Sequence, residues 1–430
     1  MTEPVLIVGA GVAGLVCALE LQRHGQSAIL LEGAPEAGGR VRSTHANGLV
    51  IDHGFQVLFT AYPTLREYLE TDALQFRRFL PAARIVRDGR ISLIGDALRD
   101  PSLLIGTVLA RAVSIGDKLR LLALRRFAQQ LTIDDCFAIR FAQVSTREFL
   151  AGRGFGPAVI DGFFAPFYGG IFLDRTLETS ASILLFTFKM LADGDTVVPA
   201  GGIGALTQQM AAALPAGSVR VSSPVAQLLR HDGRVTGVRL ASGEELTARH
   251  VVLATDAPAA ARLAATADVT LPVPEGARGC TTVYFTTTAS PIPGKALWLN
   301  AAPDAVISHA VTISDVAPTY VTGKTQLIAA TAVGPAADLS DEALDAAARR
   351  ELATMGAAAG NSVSAPLVRE VIWRVPYAQF AQPPGWRELR PTIACGIAGL
   401  WRASEVLHSS SLEGAARGGQ SAARALLQSS

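Results

Sequence analysis

Apolar and polar positions follow two different periods along the chain, and the first fifty residues show both. Residues 4–8 form a short apolar strand, and "GVAGLVCALELQRHG" then has the helical period, with Leu15, Leu19 and Leu21 among its apolar positions. Gly25 ends that helix and "SAILLE" reads as a second strand, so the chain opens as the strand–helix–strand start of a doubly wound sheet. From about residue 65 to 195 the pattern reads as mostly helical. "PSLLIGTVLARAV", "DKLRLLALRRFAQQL" and "STREFLAGRGF" are candidate helices there, and "GFFAPFYGGIF" (Gly162–Phe172) is a dense aromatic patch. "VVPAGGIGALTQQMAAALPAG" reads as a turn and a helix. Alternating strands with DG and SG turns follow, up to "HVVLAT". Residues 272–384 have β-rich patches such as "CTTVYFTTT", and the tail reads as a strand, a polar loop and a final helix.

At 430 residues the chain is too long for one simple core, and two domains are expected. The elements predict an α/β protein with interleaved parts. Residues 1–64, 195–271 and 385–430 form a discontinuous Rossmann-like dinucleotide-binding domain. Residues 65–194 and 272–384 form an α+β substrate domain that includes a helical insertion. A composition of 49% hydrophobic and 17% charged residues with a net charge of +1 is globular and gives no reason to propose nucleic acid as a partner. Cys17, Cys136, Cys280 and Cys395 lie far apart with no CxxC pair, which argues against a metal site or a disulfide framework and suits a reducing compartment. The first strand starts at about residue 4, leaving no room for a leader, and no apolar run reaches 18 residues. A cytoplasmic protein is expected. Basic residues Lys118, Arg120, Arg125 and Arg126 among the leucines of 117–131 are compatible with a solvated helix face or with peripheral membrane contact, and the solvated face is favoured.

Gly9, Gly11 and Gly14 make a G-x-G-x-x-G between strand and helix. Gly9 permits the tight turn, Gly11 admits a pyrophosphate to the backbone, and Gly14 lets the helix pack on the strand. The helix N-terminus presents unpaired N–H groups and a positive dipole end to the phosphates. Glu32, 18 residues beyond Gly14, can bind ribose hydroxyls and would repel a 2′-phosphate.

"EGAPEAGGRVRS" adds a second glycine pair, Gly38-Gly39, followed by Arg40 and Arg42. This stretch resembles the motif that follows the ribose-binding acid in the superfamily of flavin amine oxidases, protoporphyrinogen oxidases and phytoene desaturases. The resemblance implies FAD rather than NAD, with Gly38, Gly39, Arg40 and Arg42 beside the pyrophosphate and ribityl chain. "LVIDHGFQVLFTAYP" is similar to the family's segment approaching the flavin, which implicates Gly54. "VRVSSPVAQL" and "HVVLATDAP" resemble its adenine-binding and return strands, which implicates Val225 and Thr255. "GLWRASEVLHSSSLEGAARGGQSAARAL" resembles the closing FAD motif, with Leu412 at the start of the last helix. Ser404-Glu405 stands there in place of the family's Gly-Asp, a departure at the ribityl contact.

The family's substrate domain lies over the flavin, and its amine oxidases typically carry a lysine on a strand of the second insertion. Aligning "GARGCTTVYF" puts Cys280 at that position, and no lysine occurs between Lys189 and Lys295. The expectation is therefore a dehydrogenase or desaturase that passes hydride from an activated C–H of an apolar organic substrate to flavin N5, with oxygen or a quinone as the electron acceptor. An amine oxidase producing hydrogen peroxide and a non-catalytic flavin-binding protein are the alternatives. Four side chains are weak catalytic candidates. They are His53 beside Gly54, Cys280 as a redox thiol or a small buried residue, and Tyr377 and Phe380 as substrate walls or core. His408 is a further loop histidine. Phe163, Phe164, Phe167 and Tyr168 read mostly as core, with one or two reaching a cavity.

Overall fold

The computed structural model describes residues 3–96, 98–103, 114–361 and 365–429. Its central sheet is parallel, in the order Val219–Arg220, Ala28–Leu31, Val5–Val8, Val251–Leu253 and Leu400–Arg402. The three central strands, Ala28–Leu31, Val5–Val8 and Val251–Leu253, are continuously apolar because both faces of the sheet are covered. Val5 and Ile7 pack with the helix Val12–Arg23 on one side. Leu6 and Val8 pack with Leu228, Val235 and Val238 of a three-stranded antiparallel sheet on the other. The last helix, Leu412–Ser429, is pressed onto the first. A Cβ on Gly419 would lie 2.2 Å from the Ala13 carbonyl oxygen, and one on Gly418 would lie 2.2 Å from that of Ser404.

The second domain is built on a seven-stranded sheet in the order Val368–Phe380, Ala277–Thr287, Gln326–Val333, Ile307–Thr312, Leu297–Asn300, Ala82–Arg87 and Arg90–Gly95. Here the mostly helical reading of 65–195 is corrected. Ala82–Arg87 and Arg90–Gly95 form a hairpin whose Asp88 and Gly89 both have positive φ, 51° and 67°. Asp-Gly at such a turn is a strong hairpin signal, and it is present in "RIVRDGRISL". The hairpin joins the second insertion through parallel pairing of Ala83 with Leu297 and Val86 with Asn300. The helices come after it. Ile115–Gln130, Thr146–Gly152, Ala165–Phe172 and Ala181–Asp193 stack around an aromatic core that includes Phe164 and Phe186. Of the candidate helix "PSLLIGTVLARAV", Pro101–Leu103 is a single 3-10 turn, and the remainder lies outside the described residues. No helix among the described residues is long and apolar enough to cross a membrane.

Candidate active site

One continuous cavity of about 1250 Å³ runs from the glycine turn at the parallel sheet to the face of the seven-stranded sheet and on between the helices. Its two halves are built differently.

The first half is made largely of backbone. Gly9 sits at φ +104°, and a Cβ there would come within 2.9 Å of the Ala254 carbonyl oxygen, so no other residue holds this turn without strain. Gly14 faces the turn rather than the cavity, and a Cβ on it would lie 2.1 Å from Gly9 O. Gly11 is different. A Cβ built on it would meet only the Cα of Gly39, 4.0 Å away, while one on Gly39 would come within 3.3 Å of the Gly11 Cα, so the two glycine loops are packed against each other. Both glycines line the cavity, so their side-chain-free backbones form the wall that a pyrophosphate would meet. Glu32 closes one end, with its carboxylate oxygens each 2.9 Å from a backbone N–H, of Ala10 and of Ala34. Both are oriented by donors, and lone pairs remain for hydroxyls. Val225, Thr255 and Leu412 also line this half. The residues therefore fit an FAD-like dinucleotide.

Arg40 and Glu405 meet at this wall. The guanidinium donates to the Glu405 carboxylate at 2.5 Å and to the Ala378 carbonyl at 2.8 Å. Arg40 thereby ties the second glycine pair to the closing loop and to the long strand Val368–Phe380. Burial pushes the Glu405 carboxyl up, but Arg40 more than offsets this and holds it below the ordinary carboxylate range. Both residues line the cavity. Ser404 does not. It is buried, and its hydroxyl faces Glu405 and the Val406 N–H. Arg42, expected at the cofactor, also stands away from the cavity and reaches Glu36 at 3.7 Å. Its side chain packs over Gly38, where a Cβ would come within 2.6 Å of the Arg42 Cγ.

The second half is made of side chains. Gly54, His53 and Cys280 line it, whereas Tyr377 and Phe380 do not. Phe380 is core, 6.1 Å from Trp386 ring to ring. Tyr377 lies in the electrostatic reach of Glu405 and Arg40, with its hydroxyl buried and unpartnered. His53 stacks on Trp373 at 3.7 Å, and its Nε2 is 2.9 Å from the Thr44 hydroxyl. Burial, with help from Arg42, lowers its pKa to about 4. The ring is neutral at physiological pH. Burial pushes the Cys280 thiol up to about 11, so it carries no thiolate for redox chemistry at neutral pH. His408 is held by Ser421 at 3.2 Å and does not line the cavity.

From the aromatic patch, Phe163, Phe167, Tyr168, Ile171 and Phe172 face the cavity, while Phe164 is fully buried in the core. More of the patch reaches the cavity than its sequence suggested. At the far end the wall passes to Asp96, Leu98, Arg99, Leu122, Arg125 and Asp195. Leu98 is 70% and Leu122 47% exposed, so this end is the mouth. Its acids are paired, Asp96 with Arg125 and Asp195 with Arg99. Sequence reasoning missed His309 and Thr331, adjacent cavity-lining residues on neighbouring strands. No local motif marks either one. No group of acidic, histidine or cysteine side chains suited to a metal occurs among the described residues.

Comparison with known proteins agrees with this geometry. The family described as flavin-containing amine oxidoreductase matches residues 12–427. Phytoene dehydrogenase of Streptomyces griseus is 30% identical over 286 residues, covering 61% of this chain and 56% of that protein. Protoporphyrinogen oxidase 2 of Arabidopsis thaliana is 30% identical over 173 residues, covering 39% of this chain and 32% of that protein. The chain thus spans about a third to just over half the length of these curated relatives. The structure of putrescine oxidase bound to putrescine covers 100% of this chain and 99% of its own, with a TM-score of 0.69 at 17% identity, a likeness of fold. A match across nearly the whole chain and a cradle shaped for a dinucleotide lead to one conclusion: the chain belongs to the flavin-containing amine oxidoreductase family, and its cofactor is FAD.

Proposed function

We propose that the protein is an FAD-dependent dehydrogenase of an apolar organic substrate, isoprenoid-like or tetrapyrrole-like. The observation that carries this reading is the second half of the cavity. It is walled by Phe163, Phe167, Ile171, Ile183, Phe186 and Leu191, and among the described residues its acids, Asp96 and Asp195 at the mouth, are already paired with arginines. An ammonium substrate would find no unpaired carboxylate there. At the position expected for an amine oxidase lysine stands a protonated Cys280. Bound FAD would supply the two-electron chemistry, accepting a hydride from an activated C–H as a proton is lost from the neighbouring atom and passing the two electrons on to oxygen or a quinone. Glu32 would hold the ribose, the facing glycines the pyrophosphate, and Arg40 with Glu405 the closing loop. The aromatic walls exclude water and bind the substrate by apolar contact.

The mouth supports delivery from a lipid phase. Ile115, Leu119 and Leu122 are exposed on the helix that carries the basic residues, beside exposed Leu98. The test is anaerobic mixing of the FAD-loaded protein with a carotenoid precursor, with protoporphyrinogen and with a panel of amines, each presented in vesicles. Bleaching of the flavin band by a polyene or a porphyrinogen, faster from anionic than from neutral vesicles, is the expected result. Bleaching by an amine alone would establish the amine oxidase instead, and inertness to all three would leave a flavin-binding protein without turnover.

A further inference from the structure

His309 lies mid-strand in Ile307–Thr312, near the centre of the seven-stranded sheet, and lines the apolar half of the cavity. It is 5% exposed, and its Nδ1 is buried with no hydrogen-bond partner. Its surroundings are apolar. The Phe55 ring is 5.4 Å away, and the imidazole lies so close over Gly170 that a Cβ there would come within 2.8 Å of Nδ1. Nδ1 is thus sealed against the bare backbone of Gly170, and Nε2, which has no hydrogen-bond partner among the described residues, is the ring nitrogen left to the cavity, so a partner for it has to come from there.

A second polar group sits next to it. Thr331 is paired with His309 in the sheet register and also lines the cavity. Its hydroxyl is 3.0 Å from that of Thr282, which itself accepts the Phe55 N–H at 3.2 Å. If Thr282 donates to Thr331, the Thr331 proton is left over for the cavity. If Thr331 donates, its lone pairs are left over. In both cases one function remains unused.

We propose that His309 and Thr331 form a polar anchor for an uncharged oxygen function, a hydroxyl or a carbonyl, on the otherwise apolar substrate. The proposal rests on the apolar-substrate reading above and narrows it. The Nε2 of a neutral imidazole accepts from a hydroxyl in one tautomer and donates to a hydroxyl or carbonyl oxygen in the other, so either function matches it. Burial lowers the His309 pKa to about 4, so the ring is uncharged and has no preference for an anion. A fully hydrocarbon ligand would leave the His309 ring nitrogen and the unused function of Thr331 without a partner, whereas one with a single oxygen function would satisfy them.

The experiment titrates the FAD-loaded protein with geranylgeraniol and with the hydrocarbon of the same skeleton lacking the hydroxyl. Binding is read from the perturbed flavin absorption and not from turnover. The ratio of the two affinities, compared between wild type and variant, removes the difference in water solubility of the probes. His309→Leu should lower the alcohol-to-hydrocarbon ratio by about tenfold. The expected His309→Gln result is partial retention of the preference, and Thr331→Val should lower it by a smaller factor. FAD content and hydrocarbon affinity should not change in any of the three. An unchanged ratio in both His309→Leu and Thr331→Val would overturn the anchor while leaving the apolar-substrate reading intact. Loss of FAD from both His309 variants would assign the residue to the cofactor and also overturn it. If neither probe perturbs the flavin, the apolar-substrate reading falls and the anchor falls with it.

Discussion

The two halves of the cavity are made in opposite ways. The cofactor half is a backbone construction. Gly9, Gly11, Gly38 and Gly39 shape it, and the Glu32 carboxylate is aimed by two peptide N–H groups. All of these fall within the first forty residues. The substrate half is a side-chain construction that collects Phe55, Phe167, Phe186, Leu297 and His309 from segments far apart in the chain. A cradle of backbone groups depends on conformations that few residues other than glycine adopt, so it tolerates little change. A pocket of apolar side chains depends on volume and shape, so it can be re-cut for a new substrate at modest cost. The family's chemistry is kept by the first kind of wall and its specificity by the second.

The hardest way to break this comparison is within the aromatic patch. Phe164 and Phe167 are three residues apart, but Phe164 is in the core and Phe167 lines the cavity. Phe164→Ala should cost about 3–5 kcal/mol of stability, measured by denaturant unfolding of the FAD-loaded protein. Phe167→Ala should cost much less and should admit bulkier ligands. Equal losses would mean that the patch is all core. The next test sets two glycines of the turn against each other. Gly14→Ala puts a Cβ onto the Gly9 carbonyl and should destabilise the fold by about 1–3 kcal/mol or more. Gly11→Val puts a side chain on the cavity wall beside Gly39 and should leave an intact apoprotein with FAD affinity lowered at least about tenfold, read by equilibrium dialysis and melting temperature together. A Gly11→Val protein that keeps its flavin would refute the cradle.

The smallest effect is one of pH. Burial lowers the pKa of His53, His309 and His408 to about 4 in the folded protein. Below about 6.5 the unfolded chain takes up protons at these sites that the folded chain refuses, so they remove stability as the pH falls from about 6.5 to 4. Asp52 acts in the opposite sense. Its burial raises its pKa to about 6, so its retained proton adds stability over part of the same range. His250 and the depressed Glu20 and Glu405 carboxyls act in the same sense as the three histidines and Glu413 in the sense of Asp52, which leaves a net loss on the acid side, seen as a falling melting temperature. His309→Gln should make that limb shallower, and an unchanged limb would mean that His309 is not held neutral by burial.

Legibility in the sequence followed the same division. The glycine turn, Glu32, the second glycine pair and the first and last helices could be read directly, because each is specified by residues a few positions apart. Arg40 was legible as a cofactor-side residue, but its pairing with Glu405 was not, since the two are 365 residues apart. Glu405, which stands at the second position of the Gly-Asp pair, is the residue that meets the arginine. The hairpin at 82–95 had its Asp-Gly signal and was passed over, because the residues around it read as the approach to a helical stretch. Arg42 belongs to the same motif as Arg40, yet its side chain packs over Gly38 and reaches Glu36, a contact that the motif does not carry.

The sequence by itself determined the dinucleotide turn, the acid that closes it and the order of the interleaved segments, because glycine conformations and short-range periodicity are local properties. Only the tertiary structure decided which aromatics face the cavity, which histidine is left without a partner and where the mouth lies. Those outcomes depend on how strands distant in sequence are brought into register, with Leu297 paired to Ala83 and His309 to Thr331. Pairing of that kind is chosen by the burial of whole sheet faces, a property that no short stretch of the chain carries.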